Sequence, residues 1–230
     1  MTSESLVSLP STRPRWLRAA GWLLVGVRVF FALFALAVAV ETAAALVGLT
    51  EPAQARSVPP VFVAHAVTGA VALVAVSVQL GVLATPPRPE QRRLHRVLGR
   101  TYVVAAVVTS LLTVPVIAGF GVDGPTKAAF HTEALLWLAT TLIAFRRIRA
   151  GRVRQHREWM IRSFALAAFF ITFSLWDPLL AAMPMSQATT YLVAVVLGWA
   201  VNLVVAEIWI RSTRAPARRE PAVRFTDAAS

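Results

Sequence analysis

The sequence has no cysteine, a single lysine and few charges of any kind. Asp, Glu, Lys and Arg make up 15% of its 230 residues, whereas they form about a quarter of an ordinary soluble domain. Without cysteine there is no disulfide, no thiolate nucleophile and no thiolate-held zinc or iron–sulfur site. Hydrophobic residues reach 57% and come in long blocks. This pattern excludes a soluble enzyme, a nucleic-acid-binding domain and a secreted disulfide scaffold.

Six apolar blocks approach or exceed the ~20 residues of a membrane-spanning helix. Runs of this length without alternating polar residues favour helices over a barrel. The fold class predicted is all-α integral membrane, a six-helix transmembrane bundle over residues 17–211 with both termini cytoplasmic. The predicted spans are residues 17–49, 61–84, 99–121, 128–145, 159–183 and 189–210. The polar residues 1–16 and 212–230 are predicted to be disordered tails.

The orientation follows from the basic residues. Twenty of the 23 lie in the two tails and in the loops after the second and fourth spans, whereas the other loops contain only Arg56 and Lys127. Because positive loops stay in the cytoplasm, both termini are expected on the cytoplasmic side of a bacterial inner membrane. The expected partner is therefore the lipid bilayer and not nucleic acid. The oligomeric state is left open.

A weak internal repeat occupies the middle of the chain. An R-x-H-R motif precedes the third span, at residues 93–96, and recurs before the fifth, at residues 154–157. One histidine, His65 or His131, lies near the outer end of the second and of the fourth span. The second and third spans, and the fourth and fifth, are therefore interpreted as two copies of one two-helix unit.

The four histidines suggest two haem sites, one at each end of the bundle. The pairs are His65 with His131 at the outer end and His95 with His156 at the inner end. Two histidines on facing helices bind haem iron from both sides, and the haem would be b-type because no C-x-x-C-H motif is present. Gly69 and Gly99 would leave a side-chain-free face for the macrocycle.

Arginines next to the inner histidines would neutralise the haem propionates. They are Arg93, Arg96, Arg154 and Arg157. Each histidine also has an ordinary explanation. The inner pair would be interfacial polar residues, and the outer pair would form hydrogen bonds at helix ends.

Further polar residues inside the predicted spans are candidates because such groups are costly in lipid. They are Arg28, Glu41, Gln79, Arg100, Glu133, Arg162, Asp177, Asn202 and Glu207. Glu207 is expected to pair with one of the three arginines. Gln79 and Asn202 are expected to form interhelical hydrogen bonds, and Pro178 is expected to kink the fifth span.

A second group of candidate residues, carboxylates and histidines, is predicted in the outer half of the bundle. Glu41, Glu133 and Asp177 are predicted to lie at the same end as His65 and His131. A carboxylate–histidine cluster there would bind a divalent metal or relay protons. However, Glu133 is two residues from His131 and points to another side of its helix.

Three separated motifs resemble those of a prokaryotic membrane family, the domain of unknown function 2306 family. They are HRVLGRTY at residues 95–102, HREWMIRS at residues 156–163 and NLVVAE at residues 202–207. The resemblance extends over about residues 65–211. It implies a membrane protein but no activity, because the family is uncharacterised. Ser174 stands where the family often has arginine, and Asp177 where it has an apolar residue.

The layout is also similar to that of the ascorbate-linked di-haem b-type cytochromes. In those six-helix proteins the second and fourth helices hold one haem, and the third and fifth hold the other. The four histidines here match that pattern by helix, without a shared sequence motif. The similarity implies a haem arrangement and not an activity.

Three hypotheses for function follow. The first is electron transfer across the membrane through one or two bis-histidine haems, with a quinone or another redox partner. The second is a small proton- or metal-coupled transporter that uses Glu41, His65, Glu133 and Asp177. The third is a non-catalytic scaffold with a basic cytoplasmic face. No catalytic residue is assigned, and whether the protein is an enzyme is left open.

Overall fold

The computed structural model describes residues 59–82 and 89–214, together with three isolated helical positions, Val29, Leu33 and Ala37. Residues 59–214 contain six helices and no strand among the described positions. They are α1 (Pro60–Val82), α2 (Pro89–Ala118), α3 (Gly124–Arg149), α4 (Val153–Ala167), α5 (Phe169–Ala181) and α6 (Gln187–Thr213). Arg28, Glu41 and the predicted N-terminal tail lie outside the described residues, as do residues 215–230 of the C-terminal tail.

The predicted all-α membrane fold is confirmed for the described part of the chain. Helices α1, α2, α3 and α6 are long and apolar enough to cross a membrane, and α4 with α5 adds one more span if the bent pair is taken together. These correspond to the second to sixth predicted spans. Helix α2 begins at Pro89, ahead of the predicted residue 99. Proline at the first helical position and the Gln and Arg residues after it favour this earlier start.

The two ends of the bundle differ in charge. At one end, which we call the arginine end, the last turn of α3 contains Arg146, Arg147 and Arg149, where cations stabilise the helix dipole. The chain then turns into α4 through Gly151. Its φ of 72° is in the left-handed region that glycine adopts without strain.

At the opposite end, which we call the capped end, side chains cap two helices. Asp123 accepts a hydrogen bond from the backbone N–H of Thr126 at 2.9 Å, and Ser186 accepts one from Thr189 at 3.2 Å. Hydrogen bonds from Thr126 hold the pKa of Asp123 below its ordinary value. The stabilisation by this cap is therefore present at neutral pH and is lost as the pH falls through that lowered pKa.

Four polar side chains meet in the interior and join three helices. Tyr102 Oη of α2 lies 2.6 Å from Ser163 Oγ of α4, which lies 2.7 Å from Thr141 Oγ1 of α3. The indole N–H of Trp137, also on α3, donates to Tyr102 Oη at 3.0 Å. Tyr102, Ser163 and Thr141 are fully buried. We call these four residues the hydroxyl cluster.

The hydroxyl cluster contains equivalent positions from the two copies of the predicted repeat. Tyr102 and Ser163 each stand seven residues after the histidine of an R-x-H-R motif. In the structure α1 with α2 and α3 with α4 form two helical hairpins, and these equivalent positions touch each other between them.

The fifth predicted span is broken, but not at Pro178, where a kink was expected. Helices α4 and α5 differ in direction by 41°, and the break at Ala168 lies ahead of Pro178, which stands inside α5. A break frees backbone carbonyls, which must find donors in lipid. Asn202 of α6 donates to the carbonyl of Ala165 at 3.0 Å and thereby forms the expected interhelical hydrogen bond. Gly198 allows α6 to approach, since an added Cβ would lie 3.1 Å from an aromatic ring of α5.

An ion pair fastens α4 to α6 near the arginine end. Arg162 Nε lies 2.5 Å from Glu207 Oε1. Of the three arginines expected as partners of Glu207, namely Arg28, Arg100 and Arg162, it is therefore Arg162 that forms the ion pair. The guanidinium of Arg162 also lies 4.7 Å from the ring centre of Trp159.

Removal of the Tyr102 hydroxyl tests the role of the hydroxyl cluster. Tyr102→Phe leaves the buried Trp137 N–H without its acceptor, so we expect the free energy of unfolding to fall by about 1–3 kcal/mol. Tyr191→Phe is the matched control, because Tyr191 is the other tyrosine and is only half buried. Unfolding of both variants in detergent micelles measures the difference. Equal stability of the two variants would contradict the role assigned to the cluster.

Candidate functional site

A partly open cavity of about 370 Å³ is lined by residues of all six described helices. Its size is within the range of small-molecule pockets, about 300–1,000 Å³. Most of the wall is aliphatic or aromatic, and Trp137 of the hydroxyl cluster forms part of it. The phenylalanines that line it are Phe62, Phe120, Phe130, Phe169, Phe170 and Phe173.

One histidine and one carboxylate face this apolar space from different helices. They are His65 of α1 and Glu133 of α3. Glu133 is 6% exposed, and no described residue forms a hydrogen bond or an ion pair with it. A buried carboxylate without such partners is costly. Its presence on the wall of a cavity marks this position as a candidate binding site.

The orientation of the His65 ring is set by the backbone of α2. His65 Nδ1 lies 3.2 Å from the carbonyl oxygen of Thr109, which also accepts a hydrogen bond from Thr113 Oγ1 at 3.0 Å. Since a carbonyl can only accept, Nδ1 carries the proton, and in the neutral ring Nε2 is then an acceptor. Nε2 has no hydrogen-bond partner among the described residues.

Asp177 stands beside the same cavity. Its charge is close enough to act on the phenol of Tyr191, which lines the cavity. Tyr191 in turn packs edge-to-face on Phe173 with ring centroids 5.3 Å apart. Among the carboxylate–histidine residues predicted for the outer half, His65 and Glu133 thus share the cavity, and Asp177 is next to it. No group of three or more His, Asp or Glu residues suited to a metal ion occurs in the described part of the chain.

His131 is placed differently from the prediction of a facing histidine pair. Its Nδ1 lies 2.7 Å from the carbonyl oxygen of Lys127 in the preceding turn of α3, and it is not among the residues that line the cavity. Because successive helical residues are rotated by about 100°, Glu133 and His131 point to different sides. Across the cavity His65 therefore shares the wall with Glu133 and not with His131.

The two histidines at the arginine end are brought near each other. The charge of His156 is close enough to act on His95. His156 Nδ1 donates to the carbonyl of Ala144 at 2.9 Å, which leaves Nε2 available. The Nδ1 atom of His95 is buried without a partner among the described residues. Arg96, Arg100 and Arg157 are exposed on the same helices.

The two glycines expected to face a haem macrocycle have different surroundings. A Cβ added at Gly99 would lie 3.2 Å from Nε2 of Gln79, so Gln79 of the neighbouring helix lies close to this glycine. A Cβ added at Gly69 would lie 3.6 Å from Cγ2 of Thr109, an ordinary van der Waals distance, and Gly69 lines the cavity. Gln79 Nε2 itself has no partner among the described residues, so the interhelical hydrogen bond expected of Gln79 is not formed through this atom.

Several site residues were not identified from the sequence, above all Tyr102, Thr109 and Trp137. The spacing of residues in α3 could have identified Trp137. The buried residues of this helix recur at helical spacing and include Thr126, Glu133, Trp137 and Thr140. That phase places Glu133 on the inward face together with Trp137. Thr109 had no such signal, because its contribution is a backbone carbonyl.

Comparison with protein-family models identifies a related family. A family model described as "Predicted membrane protein (DUF2306)" matches residues 62–210. The matched range contains all residues that line the cavity and all four histidines. No curated protein and no solved structure matches the chain.

Proposed function

The chain belongs to the DUF2306 family of membrane proteins, and from this premise we propose that its function is to bind an uncharged, lipid-soluble small molecule in the cavity. The observation that carries the proposal is the placement of His65 and Glu133 on one apolar wall, where Glu133 and the Nε2 atom of His65 have no hydrogen-bond partner among the described residues. Apolar pockets with a few convergent polar groups are typical ligand sites. A ligand with polar atoms on an apolar body would satisfy both side chains.

The chemistry of the two side chains defines what the cavity can do. His65 Nε2 accepts a hydrogen bond, whereas Glu133 donates one when protonated and accepts one when ionised. Together they can hold a polar ligand atom and exchange a proton with it. The transporter hypothesis, which uses Glu41, His65, Glu133 and Asp177, shares this binding step and is favoured by the position of Asp177 beside Tyr191.

Blocking variants test the proposed binding. Ala70 lines the cavity, whereas its neighbour Val71 is 41% exposed. We expect 4-hexylphenol to raise the unfolding temperature of the protein in lipid nanodiscs, since a ligand at about 100 times its Kd stabilises by about 2.7 kcal/mol. The shift should disappear in Ala70→Phe, and in Ala66→Phe as a second blocking variant, but persist in Val71→Phe. Equal shifts in all four proteins would contradict binding in the cavity.

We further propose that the protein lies in the plasma membrane with the arginine end in the cytoplasm, as the distribution of basic loops favours. The natural chain has no cysteine, so single cysteines report the orientation. In intact cells a membrane-impermeant maleimide should label Ser186→Cys at the capped end but label Ala150→Cys at the arginine end only after lysis. The reverse pattern would overturn the orientation.

Electron transfer through one or two b-type haems stays a prediction, and the arginine end offers the support for it. The observation in its favour is the proximity of His95 and His156, beside which Arg96 and Arg157 would neutralise propionates. With haem supplied during expression, it predicts b-type bands in reduced minus oxidised spectra. They should be lost in His95→Ala and His156→Ala and kept in His131→Ala. A colourless, monodisperse protein would contradict it.

A further inference from the structure

We infer that the ligand of the cavity is an aromatic alcohol, specifically a lipid-soluble hydroquinone whose two ring hydroxyls meet His65 and Glu133. The inference rests on the proposed function and names the ligand class for the same cavity. It concerns binding alone.

The first argument is the direction of the hydrogen bond at His65. The Thr109 carbonyl accepts a hydrogen bond from Nδ1 at 3.2 Å, so Nε2 is left as the acceptor of His65, a residue that lines the cavity. The matching ligand atom must be a donor. A hydroxyl group meets this requirement, whereas a quinone carbonyl or an ether oxygen does not.

The second argument is the position of the second polar group. Glu133 is buried, lines the same cavity and comes from α3, whereas His65 comes from α1. A hydroquinone has hydroxyls at opposite edges of one rigid ring, so a single molecule can reach polar groups on two helices. A monophenol would leave Glu133 unsatisfied, which costs free energy in an apolar site.

The aromatic residues that line the cavity favour a ligand with a flat ring. Aromatic side chains surround the cavity, and they already pack edge-to-face with one another. Ring centroids of Phe130 and Phe169 are 5.8 Å apart, and those of Phe173 and Tyr191 are 5.3 Å apart. Such a wall suits a flat ring, because aromatic pairs gain free energy beyond the burial of their area.

The charge of the wall argues against two other ligand classes. No Lys or Arg is among the described residues that line the cavity, so none of them would be a counter-ion for an anionic head group. The described residues also supply no third His, Asp or Glu for a metal ion. An uncharged ligand with hydroxyl donors is the class that the described groups accommodate.

A matched pair of ligands tests the donor requirement. We would compare 4-hexylphenol with 4-hexylanisole, which differ by the replacement of the hydroxyl proton by a methyl group, through the concentration dependence of the unfolding temperature in nanodiscs. The phenol should bind about tenfold more tightly to the natural protein. The ratio should approach one in His65→Phe and stay unchanged in His131→Phe, where the histidine lies off the cavity. A ratio near one in the natural protein would overturn the inference.

A second pair distinguishes a hydroquinone from a monophenol. Under anaerobic conditions duroquinol should bind more tightly than duroquinone, again by about tenfold. Glu133→Leu should weaken duroquinol binding while affecting 4-hexylphenol much less. If Glu133→Leu affects both ligands equally or neither, the assignment of a hydroquinone is wrong.

The outcomes separate this inference from the proposed function. If the phenol and the anisole bind equally and Ala70→Phe blocks both, the cavity binds amphiphiles but the hydroxyl requirement falls. If Ala70→Phe blocks neither ligand, the proposed function and the inference fall together. A phenol preference that depends on His65, with a duroquinol preference that depends on Glu133, supports both.

Discussion

The hydrogen bonds among Tyr102, Ser163, Thr141 and Trp137 are the interaction on which the site depends. They join α2, α3 and α4 at a fully buried point. In lipid the hydrophobic effect does not drive helices together, so packing and interhelical hydrogen bonds carry more of the association. Because Trp137 belongs both to this cluster and to the cavity wall, the cluster holds in place the surface on which a ligand would rest.

Polar groups without partners are costly in lipid, so the polar residues of the bundle can be compared by whether they have a partner. Asn202 has a clear structural use, since it supplies a donor to the carbonyl freed by the break between α4 and α5. Arg162 and Glu207 satisfy each other. His65 Nε2 and Glu133 are different, because they lie on an apolar cavity without partners among the described residues.

Much of the fold was predictable, because hydrophobic length and arginine placement are read directly from the chain. The described helices fall where the predicted spans lie, and Glu207 pairs with one of its expected arginines. The break at Ala168 was not predicted, because the kink was expected at Pro178 and the donor to the Ala165 carbonyl comes from Asn202 on another helix. Local sequence does not show which carbonyl a distant side chain will satisfy.

The site was predictable in part. The sequence singled out His65 and Glu133, but it paired His65 with His131, two residues away from Glu133 on the same helix. Depth in the membrane follows from position along a span, and both residues have similar depth. Which of them faces inward depends on the rotation of α3, and that rotation is set by contacts of Trp137 and Thr141 with α2 and α4. Such contacts arise only in the folded bundle.

The most direct measurement of the central claim is the ¹⁵N spectrum of histidine-labelled protein in nanodiscs, with and without hydroquinone. One Nε2 resonance, absent from His65→Phe, should have the shift of an acceptor nitrogen and should move when duroquinol is added. The resonances of the other histidines should stay in place. If no histidine resonance moves, or if the resonance that moves persists in His65→Phe, then His65 does not hold the ligand and the account is wrong.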